Sequence, residues 1–201
     1  SERIDLQNAE KKYGQLLSKL PGNESILPEN RSLILKFLRD AELGKTIRNA
    51  EKKKIGYGRL LRVGGILKLM SSKWFCKPFA EVTQQDMEDF ILKLEKGKIK
   101  NNKGRPYTSE TQKTIKKFIK KFYKWFLGNS LAYPDLVVWI DTSGKIPEIR
   151  ALSREEADKL VGMAGSVRNK AILRLLFDSG ARIEEFLNIR IGDLEWKGDY
   201  Y

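Results

Sequence analysis

With 201 residues, 41% of them hydrophobic and 32% charged, the chain has apolar material for one large domain or two smaller ones. No uninterrupted apolar stretch approaches the ~18 residues of a membrane span, and residues 1–5 lack the apolar core of a signal peptide, so a cytoplasmic address is expected. The single cysteine, Cys76, excludes an intrachain disulfide, and the absence of histidine leaves a zinc site almost nothing to bind it; neither a metal nor another cofactor is expected. The net charge of +13 is unevenly spread: residues 151–201 hold eight Lys/Arg against nine Asp/Glu, a net of −1, so residues 1–150 carry +14. A polyanion is the natural partner of such a region, because neutralising phosphates releases counterions. A lysine-rich solvated surface is the competing reading.

In chain order, the first 150 or so residues read as all-helical. A leading helix is expected over residues 5–20, ended by Pro21, Gly22 and Asn23. Pro28 suits the first turn of a second helix running to about Glu42, with Gly44 as its stop. A third helix is expected over residues 46–70, weakened by Gly56, Gly58, Gly64 and Gly65 and open to a break near Gly56. Thr83 and Asp86 have the spacing of a helix cap, with Val82 and Met87 as a hydrophobic staple, and the buried face is Met87, Phe90, Ile91 and Leu94. Residues 96–106 form a basic loop. Ser109 and Gln112 then read as a capping box before the most periodic helix, whose stripe is Ile115, Phe118, Ile119, Phe122, Trp125 and Phe126.

Periodicity dissolves between Tyr133 and Pro147, and Thr142, Ser143, Gly144 and Lys145 have linker composition. The expected organisation is an N-terminal helical extension (1–24), a basic helical domain (25–141), a linker (142–150) and the opening of a second domain (151–201). Ser153 and Glu156 form a capping box there, an apolar helix over residues 167–178 is stopped by Gly180, and a short helix covers 182–188. Residues 189–196 are the first that suit a strand.

Two basic surfaces stand out. Lys113, Lys117, Lys120 and Lys124 recur at i, i+4, i+7 and i+11, a row ~16 Å long at 1.5 Å rise per residue, widened by Lys116 and Lys121. Such a row can follow a phosphate backbone; a solubilising face is the alternative, disfavoured because Glu110 is the only acid between Lys96 and Lys124. Lys53 and Lys54 lead into the second surface, where Arg59 and Arg62 share a helix face. Gly56 and Gly58 do not make a nucleotide loop, since Leu61 occupies the third glycine position and no Gly-Lys-Ser/Thr follows. Close backbone approach, to a packed helix or to DNA, suits them better.

Residues 176–194, Leu-Phe-Asp-Ser-Gly-Ala-Arg-Ile-Glu-Glu-Phe-Leu-Asn-Ile-Arg-Ile-Gly-Asp-Leu, resemble the segment around the first catalytic arginine of the tyrosine recombinase (phage integrase) family. Leu152 to Glu156 with Val167 to Ile172 resemble the opening of that catalytic domain. Residues 79–94 and 108–127 look like later helices of its core-binding domain, in an archaeal flavour. The resemblance implies a mainly α chain: a SAM-like helical core-binding domain followed by the first helices of a truncated α+β catalytic domain. It also implies site-specific recombination, with double-stranded DNA at a recombination site as partner, a tetramer in the full-length protein, and a mobile element as the setting. Arg182 takes the role of phosphate activator, neutralising charge on the non-bridging oxygens while a tyrosine attacks, and Glu185 holds the guanidinium or anchors the helix. An ordinary i, i+3 surface ion pair is the plain alternative for these two residues.

The family's active site also needs a hairpin lysine, a His-x-x-Arg box and the nucleophilic tyrosine. None is found, and Tyr200 and Tyr201 stand too close to Arg182 to serve. The chain is therefore expected to be a fragment, inactive alone, without a membrane association and monomeric. The rivals are a non-catalytic DNA-binding regulator with a recombinase-like arm and an RNA-binding helical module.

Overall fold

A computed structural model describes residues 8–46, 55–143 and 150–193. The chain is mainly α-helical, and among the described residues there is no strand, only one isolated antiparallel bridge between Lys100 and Pro106. The described residues divide into two compact units, 8–143 and 150–193.

In the larger unit, α1 (Ala9–Lys19) opens only after Asn8, whose φ of 49° is left-handed and cannot continue a helix. Of the helix expected over 5–20, residues 9–19 are helical and Asn8 is not, while residues 5–7 lie outside the described ones. Helix α2 (Pro28–Glu42) places Pro28 in its first turn, where the missing N–H is harmless. It ends as the glycine indicates: Gly44 takes a φ of 74°, its N–H bonds the Ala41 carbonyl at 3.2 Å, and the Lys45 N–H reaches back to Asp40 at 2.7 Å. These two bonds satisfy carbonyls that the last turn leaves open.

Helix α3 (Tyr57–Leu69) begins after extended Gly56; residues 47–54, Lys53 and Lys54 among them, lie outside the described residues. Of its glycines, Gly64 is the one packing requires. A Cβ there would stand 2.6 Å from the Leu16 Cδ2 and 3.3 Å from the Leu38 Cδ1, so its absence lets α1 and α2 approach α3. A Cβ on Gly56 would meet no atom within 4 Å, and on Gly58 only the Ala9 Cβ at 3.9 Å. Among the described residues, close helix packing does not account for that pair. The last turn of α3 widens into a π-helical turn, Met70–Trp74.

A buried amide ties α2 to this turn. Asn30 donates to the Ser71 hydroxyl at 2.8 Å and the Lys77 carbonyl at 2.9 Å, and accepts from the Phe79 N–H at 2.8 Å. Helix α4 (Gln84–Glu95) carries the expected Thr83 cap, completed into a capping box, with Thr83 accepting from the Asp86 N–H and the Asp86 carboxylate accepting from the Thr83 N–H. Met87, Phe90, Ile91 and Leu94 are its buried residues. The basic loop closes into a tight turn, where the Asn101 N–H bonds the Arg105 carbonyl at 2.8 Å and the Asn101 side chain accepts from Lys103 and Arg105.

Helix α5 (Ser109–Phe126) is capped one residue earlier than the sequence suggests. The Thr108 hydroxyl accepts from the Thr111 N–H, and Gln112 donates to the Tyr107 carbonyl at 2.9 Å, so Ser109 and Gln112 do not form a capping box. Threonine caps about as well as serine, and the local spacing did not decide between the neighbours. Ile115, Phe118, Ile119 and Phe122 are buried as the stripe demands, Trp125 and Phe126 pack beside them, and Tyr123 is buried as well. Phe122 sits edge-on to Phe37 and Phe79, with ring centroids 5.5 and 5.0 Å apart. A short α6 (Asp135–Val138) packs against α5.

The smaller unit pairs α7 (Arg154–Met163) with α8 (Val167–Ser179), followed by α9 (Ile183–Leu187). Ser153 and Glu156 make the expected box, and Gly180, at φ 62°, stops α8. Arg174 pairs with Asp158 on α7 and with Asp178 one turn along its own helix. Residues 191–193 form a 3-10 turn, not the start of the expected strand; residues 194–201 lie outside the described ones. Asp193 accepts from the Arg190 N–H at 2.9 Å, which closes this turn locally.

Candidate nucleic-acid interface

Helices α3 and α5 pack against each other, and this brings the two basic surfaces together. Arg59 and Arg62 of α3 line one cleft of about 410 Å³ with Lys117 of α5, and the Arg59 guanidinium lies 6.0 Å from the Phe118 ring centre. Arg59 and Lys117 also line a second cavity of about 590 Å³, with Lys120, Lys121 and Lys124. Among the described residues neither cavity is lined by an acid. Burial and the neighbouring Arg59 charge push the Lys121 ammonium below its ordinary pKa.

The six lysines of α5 divide by environment. Lys117 is exposed and Lys113 half-buried. Lys116 does not join the row: it is buried and ion-paired to Glu95 on α4. Its position explains this, for Lys116 stands seven residues before buried Tyr123, on a flank of the apolar stripe that faces protein. Lys120 donates to the Val138 and Ile140 carbonyls at 2.9 and 2.8 Å, satisfying acceptors at the end of α6. Lys120 and Lys124 also hold the Tyr133 ring, 5.0 and 4.8 Å from its centre. The row is thus a wall built partly into the fold.

Sequence reasoning missed the opposite wall of the larger cavity. Thr46, Ser130 and Tyr133 line it, and none stands in a periodic pattern that would have marked it. Ser130 is held at φ 60° in the turn after α5, beside Asn129 at φ 49°. Gly128 makes that turn possible, since a Cβ there would fall 2.0 Å from the Ala132 carbonyl oxygen. The adjoining Asp141 gives both carboxylate oxygens to Ser143, which holds its pKa below the usual range.

Arg182 stands in the other unit, at the head of α9. Its side chain is 85% exposed, and its guanidinium bonds the Glu185 Oε1 at 2.9 Å. The Glu185 Oε2 accepts from the Arg182 N–H at 3.1 Å, so one carboxylate both caps the helix and orients the arginine. Among the described residues no helix is long and apolar enough to cross a membrane.

Part of the chain is similar to tyrosine recombinases. It is 32% identical over 83 residues to the tyrosine recombinase XerD of Oceanobacillus iheyensis, a match covering 38% of this chain and 27% of that protein. It is 34% identical over 58 residues to the tyrosine recombinase XerA of Pyrococcus horikoshii, covering 28% of this chain and 20% of that protein. The matches thus span about a quarter and a fifth of these relatives' lengths. No family model matches the chain, and no solved structure matches it.

Proposed function

We propose that this chain belongs to a site-specific tyrosine recombinase and that its larger unit is the core-binding domain, gripping duplex DNA at a recombination site. The observation that carries the reading is the convergence of Arg59 and Arg62 with Lys117 across the α3–α5 packing, on clefts whose described lining residues include no acid. Two basic helix faces joined in this way suit a phosphate backbone, and a polyanion relieves their mutual repulsion. Partial similarity to two proteins named as tyrosine recombinases supports the same reading. Residues 142–150 then serve as the linker, and residues 151–201 open the catalytic domain. In the complete enzyme a tyrosine attacks the scissile phosphodiester while Arg182 neutralises the developing charge and Glu185 orients it.

The test is duplex binding as a function of salt. With ~4–6 phosphates neutralised, log K should fall against log salt with a slope of roughly −4 to −5. Replacing Arg62 and Lys117 by glutamine should weaken binding and reduce the slope by about 1 per lost contact. An unchanged affinity and slope would return these residues to a solvated face, and stronger binding to an RNA duplex would favour an RNA-binding module. In the complete recombinase, Arg182→Ala should slow cleavage by about 10²–10³ with little loss of DNA affinity. Equal cleavage by this variant would leave the Arg182–Glu185 pair with a purely structural role.

A further inference from the structure

We infer that the cavity between α5 and the turn at Ser130 is a discrete seat for one tetrahedral phosphate, gripped by Arg59 and Lys121 against the hydroxyl of Thr46. Five cations, Arg59, Lys117, Lys120, Lys121 and Lys124, line about 590 Å³ without an acid among the described lining residues. Lys120 is committed to the Val138 and Ile140 carbonyls, so its ammonium is fixed in place before any ligand arrives. Thr46 is 5% exposed, and its hydroxyl has no hydrogen-bond partner among the described residues. A buried hydroxyl without a partner is costly to leave unsatisfied, and Thr46 is one of the residues that line the cavity. A phosphate oxygen supplies the acceptor it lacks, and the same anion relieves the like-charge pressure of Arg59 on Lys121.

Volume separates this cavity from a bare ion hole. It falls within the ~300–1,000 Å³ range of ligand pockets, which leaves room for a phosphodiester with its flanking sugars. The phosphate therefore comes from a DNA backbone or from a free phosphate compound. The inference deepens the DNA-binding reading for the first source and stands without it for the second.

The experiment uses the full chain and inorganic phosphate, followed by amide and side-chain NMR shifts at constant ionic strength against chloride. Saturable shifts at Thr46, Lys121 and Ser130 are expected, with a melting temperature that rises in phosphate but not in chloride. Lys121→Met keeps the apolar stem; it should lower phosphate affinity about tenfold or more, as for a lost charge-assisted bond, without lowering the melting temperature in chloride. Thr46→Val should also weaken phosphate while leaving the fold intact. A short duplex that displaces the phosphate identifies the source as a DNA backbone; a duplex that binds with phosphate still seated identifies a free phosphate compound. Phosphate shifts no different from those in chloride would overturn the seat, even if duplex binding and its salt slope persist. Loss of duplex binding with the phosphate response intact would instead overturn the DNA-binding reading alone.

Discussion

Asp86 gathers three donors on one oxygen: the Lys77 ammonium at 2.8 Å, the Thr83 N–H at 2.9 Å and the Thr83 hydroxyl at 2.8 Å. The Lys77 bond is the largest cause, followed by the Thr83 N–H, and together they lower the Asp86 pKa from 3.8 to about 2. A carboxylate depressed in the folded state contributes stability above its unfolded value, and that contribution disappears as pH falls through the folded one. Asp86→Asn should therefore melt below the wild type at neutral pH. The gap should close between about pH 4 and pH 2, the interval set by the lowered value. Melting by circular dichroism across that interval is the measurement, and a constant gap would detach this carboxylate from the acid response. Lys116 makes the converse point about single residues. A lysine in a basic run reads as solvent-facing, yet Glu95, one position before the acid-poor stretch begins, holds it against α4.

Among the elements, what the sequence discloses is what periodicity and capping encode. The stripe of α5, the box at Thr83, the proline opening α2 and the glycines closing α2 and α8 are local signals, and the structure follows them. Features set by partners distant in sequence were not legible. Asn30 is buried because of Ser71, Lys77 and Phe79, and Thr46 and Tyr133 join the basic helices only once the chain has folded. The adjacent glycines of α3 test the same distinction. Gly65 faces open space, so Gly65→Ala should gain about 0.5–1 kcal/mol from helix propensity. Gly64→Ala should lose that gain against Leu16 and Leu38, with overpacking of about 1–3 kcal/mol. Urea unfolding of both variants gives the comparison, and equal stabilisation by the two would mean that α1 and α2 do not approach α3 so closely.

Over the whole molecule, burial is concentrated in one unit. The core of residues 8–143 contains Phe37, Phe79, Phe122 and Tyr123, each almost inaccessible to solvent, whereas among the described residues of 150–193 only Ala157 is buried. Met163 and Val167 are each 84% exposed, and Leu175 is 53% exposed. Local opening free energy follows buried apolar contact, so the two units should not exchange as one. Hydrogen exchange should protect α2 and α5 most and α7 to α9 least. Uniform protection across the chain would show that the smaller unit is held by more than its own helices provide. The charge has the same asymmetry, with +14 on residues 1–150 and −1 on the remainder, so salt should act chiefly on the larger unit.

The π-helical turn at Met70–Trp74 also fixes where the chain tolerates a change of length. A wide turn holds one residue more than an α-helix allots to the same rise, and exposed Lys73 lies within it. Deleting Lys73 should tighten the turn towards α geometry while Ser71 stays opposite Asn30, an edit visible as a modest fall in melting temperature with the fold retained. The same single-residue deletion in the middle of α5 would rotate the following half of its apolar stripe by about 100°, turning Phe122 out of the core and unfolding the chain. Two deletions of equal size therefore differ in outcome because only one of them falls where the helix already carries slack.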